Sequence, residues 1–316
     1  MSLEIIFLGN RGAGKTTILS VMSNYLEKNS DKFKPLYFEP DDESFKLLNK
    51  CWSDLLKGIN SGEMPQKTPA TSTIIEYGFQ FSNGSESVAC KFIDTPGGKT
   101  YDADGTLKMR VSNAFAVICV VDAVELMEYP GDEARDKCAV AGLQRLLRAA
   151  TDLRHKDHMA MPLKCLFIPV KCEKYMHSTN PAQDAQALEK KFIDCYRQVL
   201  SLSNLTSLYL PIETIGCIEF SGFSADGSSQ WSRCAPTIQP VNIYQPLCFA
   251  MTELLEKLEE QKGFWQSLWD KICSIFGIDD YEQYRQQLSD ISGKASGLSR
   301  YDRARRQLVK HSSFGE

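Results

Sequence analysis

The chain has 316 residues, of which 43% are hydrophobic and 24% charged, and its formal net charge is −4 at pH 7. This composition is typical of a folded globular protein and excludes a wholly disordered, collagenous or coiled-coil chain. The acidic balance argues against a protein whose main role is to neutralise nucleic-acid phosphates, so we expect no nucleic-acid partner.

Short apolar runs rich in β-branched and aromatic residues alternate with helical patterns along the chain. The near-continuous apolarity of residues 115–121 and 163–170 predicts strands covered on both faces, as in a parallel sheet flanked by helices. The runs 74–81 and 88–93 are joined by a turn-rich connector too short for a crossover helix, which predicts an antiparallel hairpin. In chain order, strands are predicted at residues 4–8, 74–81, 88–93, 115–121, 163–170 and 208–215, and helices at 15–28, 41–59, 132–156, 181–202 and 246–261.

A glycine-rich loop stands between the first predicted strand and the first predicted helix. Residues 9–16, GNRGAGKT, match the pattern G-x-x-x-x-G-K-[ST] of a phosphate-binding loop. Such a loop converges backbone N–H groups on a phosphate, and the helix that follows adds its own N-terminal donors. We expect Lys15 to bridge the β- and γ-phosphates and Thr16 to bind Mg²⁺; a chance glycine-rich turn is the alternative. The expected nucleotide contacts in this loop are Gly9, Asn10, Gly12, Ala13, Gly14, Lys15, Thr16 and Thr17.

The run 88–93 leads into Asp94-Thr95-Pro96-Gly97. An aspartate at the tip of a strand beside a phosphate loop can hold Mg²⁺, and the N–H of Gly97 can reach a γ-phosphate. Taken alone, these four residues would also suit an ordinary β-turn. Their position after the hairpin favours the metal and phosphate role.

The order of glycine loop, hairpin, D-T-P-G and remaining strands resembles the P-loop GTPases of the TRAFAC class, which contains the small Ras-like GTPases. The resemblance covers about residues 1–260. It implies a three-layer P-loop NTPase sandwich, with a mostly parallel sheet, one antiparallel edge hairpin and helices on both faces. It also implies GTP or GDP as the ligand and Mg²⁺ as the metal.

The fifth strand of that family is followed by an N-K-x-D motif, and this chain has Val170-Lys171-Cys172-Glu173 in its place. The resemblance implies that Lys171 lies across the base and that Glu173 accepts hydrogen bonds from guanine. A carboxylate facing adenine would be left without those donors, which favours GTP over ATP. Val170 departs from the family asparagine, and a strand end with surface charges is the alternative interpretation.

Residues 62–71 resemble the first switch of these GTPases, and both Thr68 and Thr71 are candidates for its Mg²⁺-binding threonine. Where many small GTPases carry a glutamine that orients the attacking water, this chain has Gly98, so we expect slow intrinsic turnover. Arg11 is the first candidate for the missing group, and Lys99, a partner protein or a dimer mate are others. The expected catalytic set is Lys15, Arg11, Thr68, Thr71 and Gly98, with Thr16, Asp94 and Thr71 as metal ligands.

The sequence predicts a GTPase domain over residues 1–261, with a helical insert at 31–62 and a long loop at 222–245. These two insertions are more similar to bacterial GTPases associated with defence or conflict systems, single or doubled in one operon. An amphipathic helical appendage follows at 262–290 and a mobile basic tail at 291–316. The appendage suits packing on the main domain or a partner groove, whereas membrane-surface binding is disfavoured because its polar face has no excess of basic residues.

The predicted compartment is cytoplasmic. The N-terminus has no basic region before an apolar one, and the longest apolar run is far shorter than the ~20 residues that span a bilayer. None of the eleven cysteines forms a C-x-x-C pair, which is typical of a reducing compartment. We therefore expect a GTP-hydrolysing switch that signals to an effector protein; the alternatives are a nucleotide-binding scaffold without turnover and, less favoured, an ATPase.

Overall fold

A computed structural model of the chain describes residues 3–30, 37–61, 73–82, 87–97, 105–156, 162–247 and 249–250. A sheet of seven strands forms its centre, in the order β2-β3-β4-β1-β5-β6-β7. Strands β1, β4, β5, β6 and β7 are parallel to one another, and β3 runs antiparallel to both of its neighbours. The strands are β1 Leu3–Gly9, β2 Tyr37–Pro40, β3 Ile75–Ser82, β4 Ser87–Asp94, β5 Ala116–Asp122, β6 Leu163–Val170 and β7 Leu205–Tyr209.

Helices cover both faces of this sheet. Residues Ile5 and Phe7 of β1 pack into one hydrophobic core, and Ile6 and Leu8 pack into another on the opposite face, as the period-two alternation of a strand requires. The first core contains α1 and α2, and the second contains α3 to α8. The helices are α1 Lys15–Lys28, α2 Asp42–Ser61, α3 Gly105–Asn113, α4 Ala123–Met127, α5 Gly131–Lys137, α6 Val140–Lys156, α7 Glu173–Met176 and α8 Pro181–Leu200.

The predicted fold class is confirmed as a mostly parallel α/β sheet with an antiparallel hairpin and helices around it. The predicted hairpin is β3–β4. Strand β2 was not predicted, and it pairs outside β3, so the hairpin is not itself the edge of the sheet. In the segment predicted as a helical insert, α2 follows this edge strand over nearly the predicted helix residues.

Two predicted boundaries are wrong. The single helix expected over 132–156 is divided into α5 and α6 at Ala139, whose backbone is left-handed with φ 51°. A helix cannot continue through that conformation. The last strand of the sheet, expected at 208–215, ends at Tyr209.

The prediction of one long loop over 222–245 is also wrong. Strands β8 Ile218–Phe223 and β9 Ser229–Arg233 form an antiparallel hairpin separate from the main sheet. Its turn contains Asp226-Gly227, and Gly227 has a left-handed φ of 78°. An Asp-Gly pair in a turn between two extended runs is typical of a hairpin.

Several predicted features lie outside the described residues. They are the threonines Thr68 and Thr71, the residues Gly98 and Lys99, the helix at 246–261 beyond residue 250, the appendage at 262–290 and the basic tail at 291–316. Within the described part of the chain, no helix has both the length and the apolar character needed to cross a bilayer.

Candidate functional site

The glycine loop lies at the carboxyl end of β1, between that strand and α1. A Cβ on Gly9 would lie 2.6 Å from the carbonyl oxygen of Val120 in β5, so only glycine fits against that strand. Gly12 and Gly14 have left-handed φ values of 77° and 106°, which other residues rarely adopt. The loop therefore turns sharply and delivers the chain into α1 at Lys15.

Lys15 is the buried cation of this loop, with only 6% of its surface exposed. Its Nζ donates to the carbonyl oxygens of Gly9, at 3.1 Å, and Asn10, at 3.3 Å. Burial lowers the pKa of the Lys15 ammonium, and the nearby carboxylate of Asp94 opposes that effect. The side chain is thus folded over its own loop, where an anion would compensate its lost hydration.

Asp94 stands at the carboxyl end of β4, next to β1 in the sheet, and is completely buried. Its Oδ2 accepts a hydrogen bond of 2.5 Å from the hydroxyl of Thr16. Its Oδ1 is buried without a hydrogen-bond partner in the described part of the chain. Burial raises the pKa of Asp94, whereas Lys15 and the Thr16 hydroxyl lower it.

The pair of Asp94 and Thr16 fits a Mg²⁺ ion. A buried carboxylate oxygen without a partner is costly unless a cation or a donor satisfies it. Carboxylate and hydroxyl oxygens are also the ligand type that Mg²⁺ prefers in proteins. Thr16 and Asp94 are therefore the described residues that would hold such a metal.

The D-T-P-G segment, whose Asp94 ends β4, runs against the glycine loop. The hydroxyl of Thr95 donates to the carbonyl oxygen of Phe7 in β1 at 2.7 Å. A Cβ on Gly97 would lie 2.2 Å from the backbone nitrogen of Arg11. The segment is therefore part of the same site, and its glycine is required by the close approach of two backbones.

Asn10 and Arg11 form the outer part of the loop. The Asn10 side chain accepts from the Arg11 backbone N–H at 2.8 Å and donates to the carbonyl oxygen of Lys137 at the end of α5. This contact joins the glycine loop to α5, which covers the sheet face opposite to that of α1. The Arg11 side chain is exposed, and Thr17 is half-buried in the first turn of α1.

Lys171 connects three parts of the site. It follows β6 directly, has a left-handed φ of 58°, and directs its Nζ to the Gly12 carbonyl oxygen at 2.7 Å and to Asp122 Oδ2 at 2.5 Å. Asp122 ends β5 and also accepts from the backbone N–H groups of Val124 and Glu125. Asp122 was not among the predicted site residues, although an aspartate at the carboxyl end of a buried parallel strand is a usable signal.

Glu173 lies beside the loop that follows the last strand of the sheet. Its Oε1 accepts from the backbone N–H groups of Ile215, at 3.4 Å, and Gly216, at 3.2 Å. Only 3% of the residue is exposed. Burial raises the pKa of Glu173 and the charge of Glu213 adds to this rise, whereas the backbone hydrogen bonds lower it. The carboxylate thus holds the 213–216 loop against α7.

The carboxyl ends of β1, β4 and β6 bring together the predicted site residues that the structure describes. They are the residues of the glycine loop, Asp94, Gly97, Lys171 and Glu173. The carboxyl end of a parallel sheet is the common place for a ligand site in α/β folds. Arg11 lies at the rim of this site, where it is exposed.

No protein-family model matches the chain. No curated protein matches it either. Among solved structures, the chain is similar to translation elongation factor SelB from Methanococcus maripaludis in complex with the GTP analogue GppNHp, with 13% sequence identity and a TM-score of 0.32. The match covers 68% of this chain and 31% of the SelB chain, so the chain spans about a third of that protein's length.

Proposed function

We propose that the chain is a Mg²⁺-dependent GTP-binding and GTP-hydrolysing switch. One observation carries the proposal: the glycine loop surrounds a buried Lys15 ammonium beside the buried Asp94 carboxylate, whose Oδ1 has no hydrogen-bond partner among the described residues. A polyphosphate bound to a divalent metal supplies the anion for the lysine and the cation for the aspartate.

In this proposal the glycine loop binds the phosphates and Lys15 neutralises them. Phosphoryl transfer depends mainly on positioning and charge neutralisation, and this site supplies both. When bound, Mg²⁺ would add charge neutralisation at the phosphates, with Thr16 and Asp94 as its protein ligands. Gly97 lies against Arg11, so the start of the second switch is in contact with the loop that binds the phosphates.

The base end of the proposed site is formed by Lys171 and Glu173. The two hydrogen bonds from the 213–216 loop both end on Oε1 of Glu173, and Oε2 is the oxygen we assign to guanine donors. Adenine lacks those donors, so a buried carboxylate in this position disfavours ATP.

Hydrolysis in this proposal is slow and needs a group that Gly98 cannot supply. Arg11 is exposed at the rim of the phosphate site, and an arginine that reaches the γ-phosphate stabilises charge in the transition state. The missing side chain at Gly98 also favours a second candidate function, a nucleotide-binding scaffold with the same site and no turnover.

The signalling part of the proposal concerns the two switch segments, 62–71 with Thr68 and Thr71, and 97–99. Their ordering on the γ-phosphate would create a surface for an effector or activating protein in the cytoplasm. A homodimer that supplies the missing catalytic group is compatible with the same site, as is membership of the conflict-associated bacterial GTPases.

Competition binding with the full-length chain tests the proposal. A fluorescent GTP analogue should be displaced by GTP and GDP at least tenfold more effectively than by ATP. Lys15→Ala should abolish binding, whereas Lys57→Ala, which removes a lysine that is 80% exposed on α2, should leave it unchanged. Equal displacement by ATP would contradict the base assignment, and binding retained by Lys15→Ala would contradict the phosphate site.

Single-turnover hydrolysis separates the two candidate functions. For a GTPase that uses Arg11 in cis, Arg11→Ala should slow turnover at least tenfold and leave nucleotide affinity nearly unchanged. An unchanged rate removes Arg11 from the mechanism. Tight binding of GTP without any turnover, alone or with host lysate, favours the scaffold.

A further inference from the structure

The β8–β9 hairpin is attached at both of its ends to the loop that holds Glu173. It begins two residues after Gly216, whose N–H donates to that carboxylate. On the return path, Cys234 N–H donates to the Cys217 carbonyl oxygen at 3.0 Å, and Gln239 N–H donates to the Ile215 carbonyl oxygen at 3.0 Å. A displacement of the hairpin would therefore be transmitted to the 213–216 loop.

Trp231 of β9 faces the other base-end residue, Lys171. The Lys171 Nζ lies 5.9 Å from the centroid of the Trp231 ring, within the range of a cation–π contact. The same Nζ is bonded to Gly12 and Asp122. The ring thus provides a third contact for an ammonium group that connects β5, β6 and the glycine loop.

The Trp231 ring is supported from within the hairpin. Phe220 of β8 is almost completely buried and meets the Trp231 ring edge-on, at a centroid distance of 5.8 Å and an interplanar angle of 79°. Trp231 is half-buried, whereas its neighbours Gln230 and Ser232 on the other face of β9 are exposed. The ring therefore has a defined position, which a freely exposed tryptophan would lack.

We propose that Trp231 is a positioning residue of the nucleotide site, which acts through Lys171 to hold that side chain in place for the nucleobase. This inference rests on the proposed function and extends it: the hairpin becomes a third element of the base site, besides β6 and the 213–216 loop. Because the Lys171 charge lies beside the Trp231 ring, a base that moves or covers Lys171 should change the emission of Trp231.

Substitutions test the positioning role, with Trp52 as a matched control. Trp52 lies on α2 and has the ammonium of Lys28 at 5.2 Å, so it is also a tryptophan–lysine pair but belongs to another part of the molecule. Trp231→Leu should weaken GTP binding about threefold to fivefold, the size of a partly exposed cation–π contact, and should lower the GTP-to-ATP affinity ratio. Trp231→Phe should keep most of the GTP affinity and of the GTP-to-ATP affinity ratio. Trp52→Leu should change neither quantity.

A fluorescence measurement keeps the inference testable even if Trp231→Leu fails to fold. The chain has four tryptophans, and Trp231 is retained alone when Trp52, Trp265 and Trp269 are replaced by phenylalanine. Emission from this variant should change on addition of GTP or GDP and should not change with tripolyphosphate, which has no base. An equal change with tripolyphosphate, or no change with GTP under conditions where GTP binds, would overturn the role of Trp231.

The two proposals fail in different ways. If neither GTP nor any other nucleotide binds to the wild-type chain, both the proposed function and the positioning role of Trp231 are contradicted. If GTP binds and requires Lys15, yet Trp231→Leu lowers affinity for GTP and ATP by the same factor, the proposed function stands. In that case Trp231 is a structural residue of the hairpin only.

Discussion

The Glu173 carboxylate is buried and accepts hydrogen bonds from backbone amides of the 213–216 loop, and in the proposed function it also binds the base. Its pKa is raised from the ordinary value of 4.5, mainly by burial. In the pH window above 4.5 and below that raised pKa, the folded state binds more protons at Glu173 than the unfolded state does. Stability contributed by this group is therefore present at low pH and lost as pH rises through the window.

We predict that Glu173→Gln removes this loss of stability with rising pH. The amide oxygen of glutamine still accepts from Ile215 and Gly216, so the ligand-free variant should gain stability relative to the wild-type chain as pH rises from about 4.5 towards neutrality. Thermal melts at a series of pH values measure the difference. The exposed Glu133→Gln on α5 is the control and should show no such trend.

The same substitution should cost affinity for guanine nucleotides. A hydrogen bond to a charged group contributes about 1.5–3 kcal/mol of free energy, which corresponds to roughly tenfold to a hundredfold in affinity. A Glu173→Gln variant that is more stable at neutral pH but binds GTP less tightly would separate the structural role of the carboxylate from its role in base binding. A variant that binds GTP normally would show that Glu173 only holds the 213–216 loop.

At the scale of secondary-structure elements, the sequence predicted those helices and strands whose bounds depend on residues nearby in the chain. Helix α1 begins and ends at the predicted residues because the left-handed Gly14 precedes it and its apolar positions repeat at helical spacing. Strand β6 also matches its prediction, since a nearly continuous apolar run of this length is typical of a strand buried on both faces. The break at Ala139 could not be predicted, because alanine favours a helix and adopts a positive φ here only through its tertiary surroundings.

The contacts of Lys171 and Glu173 were the least predictable part of the candidate site. Glu173 is bonded to backbone amides 42 and 43 residues away, and those amides carry no sequence signature. Lys171 was expected across the base, and its bonds to Asp122 and Gly12 depend on how β5, β6 and the glycine loop meet. The β8–β9 hairpin did leave a signal in Asp226-Gly227, but the serine, glycine and proline content around it favoured a loop.

Two glycines test how the 213–216 loop is joined to the segment after the hairpin. Gly216 has a left-handed φ of 69°, and a Cβ there would lie 1.9 Å from the carbonyl oxygen of Gln239. Gly227 in the hairpin turn has a φ of 78° but open space around it. Both positions penalise alanine for the backbone conformation by about 1 kcal/mol, and only Gly216 adds a steric clash.

We therefore predict that Gly216→Ala lowers the free energy of unfolding clearly more than Gly227→Ala does, since the clash with a backbone carbonyl forces the two segments apart. Gly216→Ala should also weaken GTP binding, because the displaced loop donates two hydrogen bonds to Glu173. Denaturant unfolding and nucleotide titration measure the two effects. Equal destabilisation by both substitutions would contradict the close contact between Gly216 and Gln239.

At the scale of the whole molecule, ligand and metal should act as one stabilising unit. The site holds a buried cation and a buried anion, Lys15 and Asp94, whose pKa values are shifted by burial towards their neutral forms. Keeping both groups charged therefore costs free energy in the ligand-free protein. A bound metal–triphosphate complex compensates both charges, and anything that binds only the folded state raises the melting temperature.

We predict that GTP with Mg²⁺ at a hundred times its dissociation constant stabilises the chain by about 2.7 kcal/mol, which raises the melting temperature by roughly 5–10 °C in a domain of this size. With EDTA in place of Mg²⁺, more than half of this shift should disappear, because Asp94 then faces the phosphates without a cation between them. Differential scanning fluorimetry of the full-length chain measures both. A shift of the same size in EDTA would contradict the metal site at Asp94 and Thr16, and a shift retained by Lys15→Ala would show that the nucleotide binds elsewhere on the molecule.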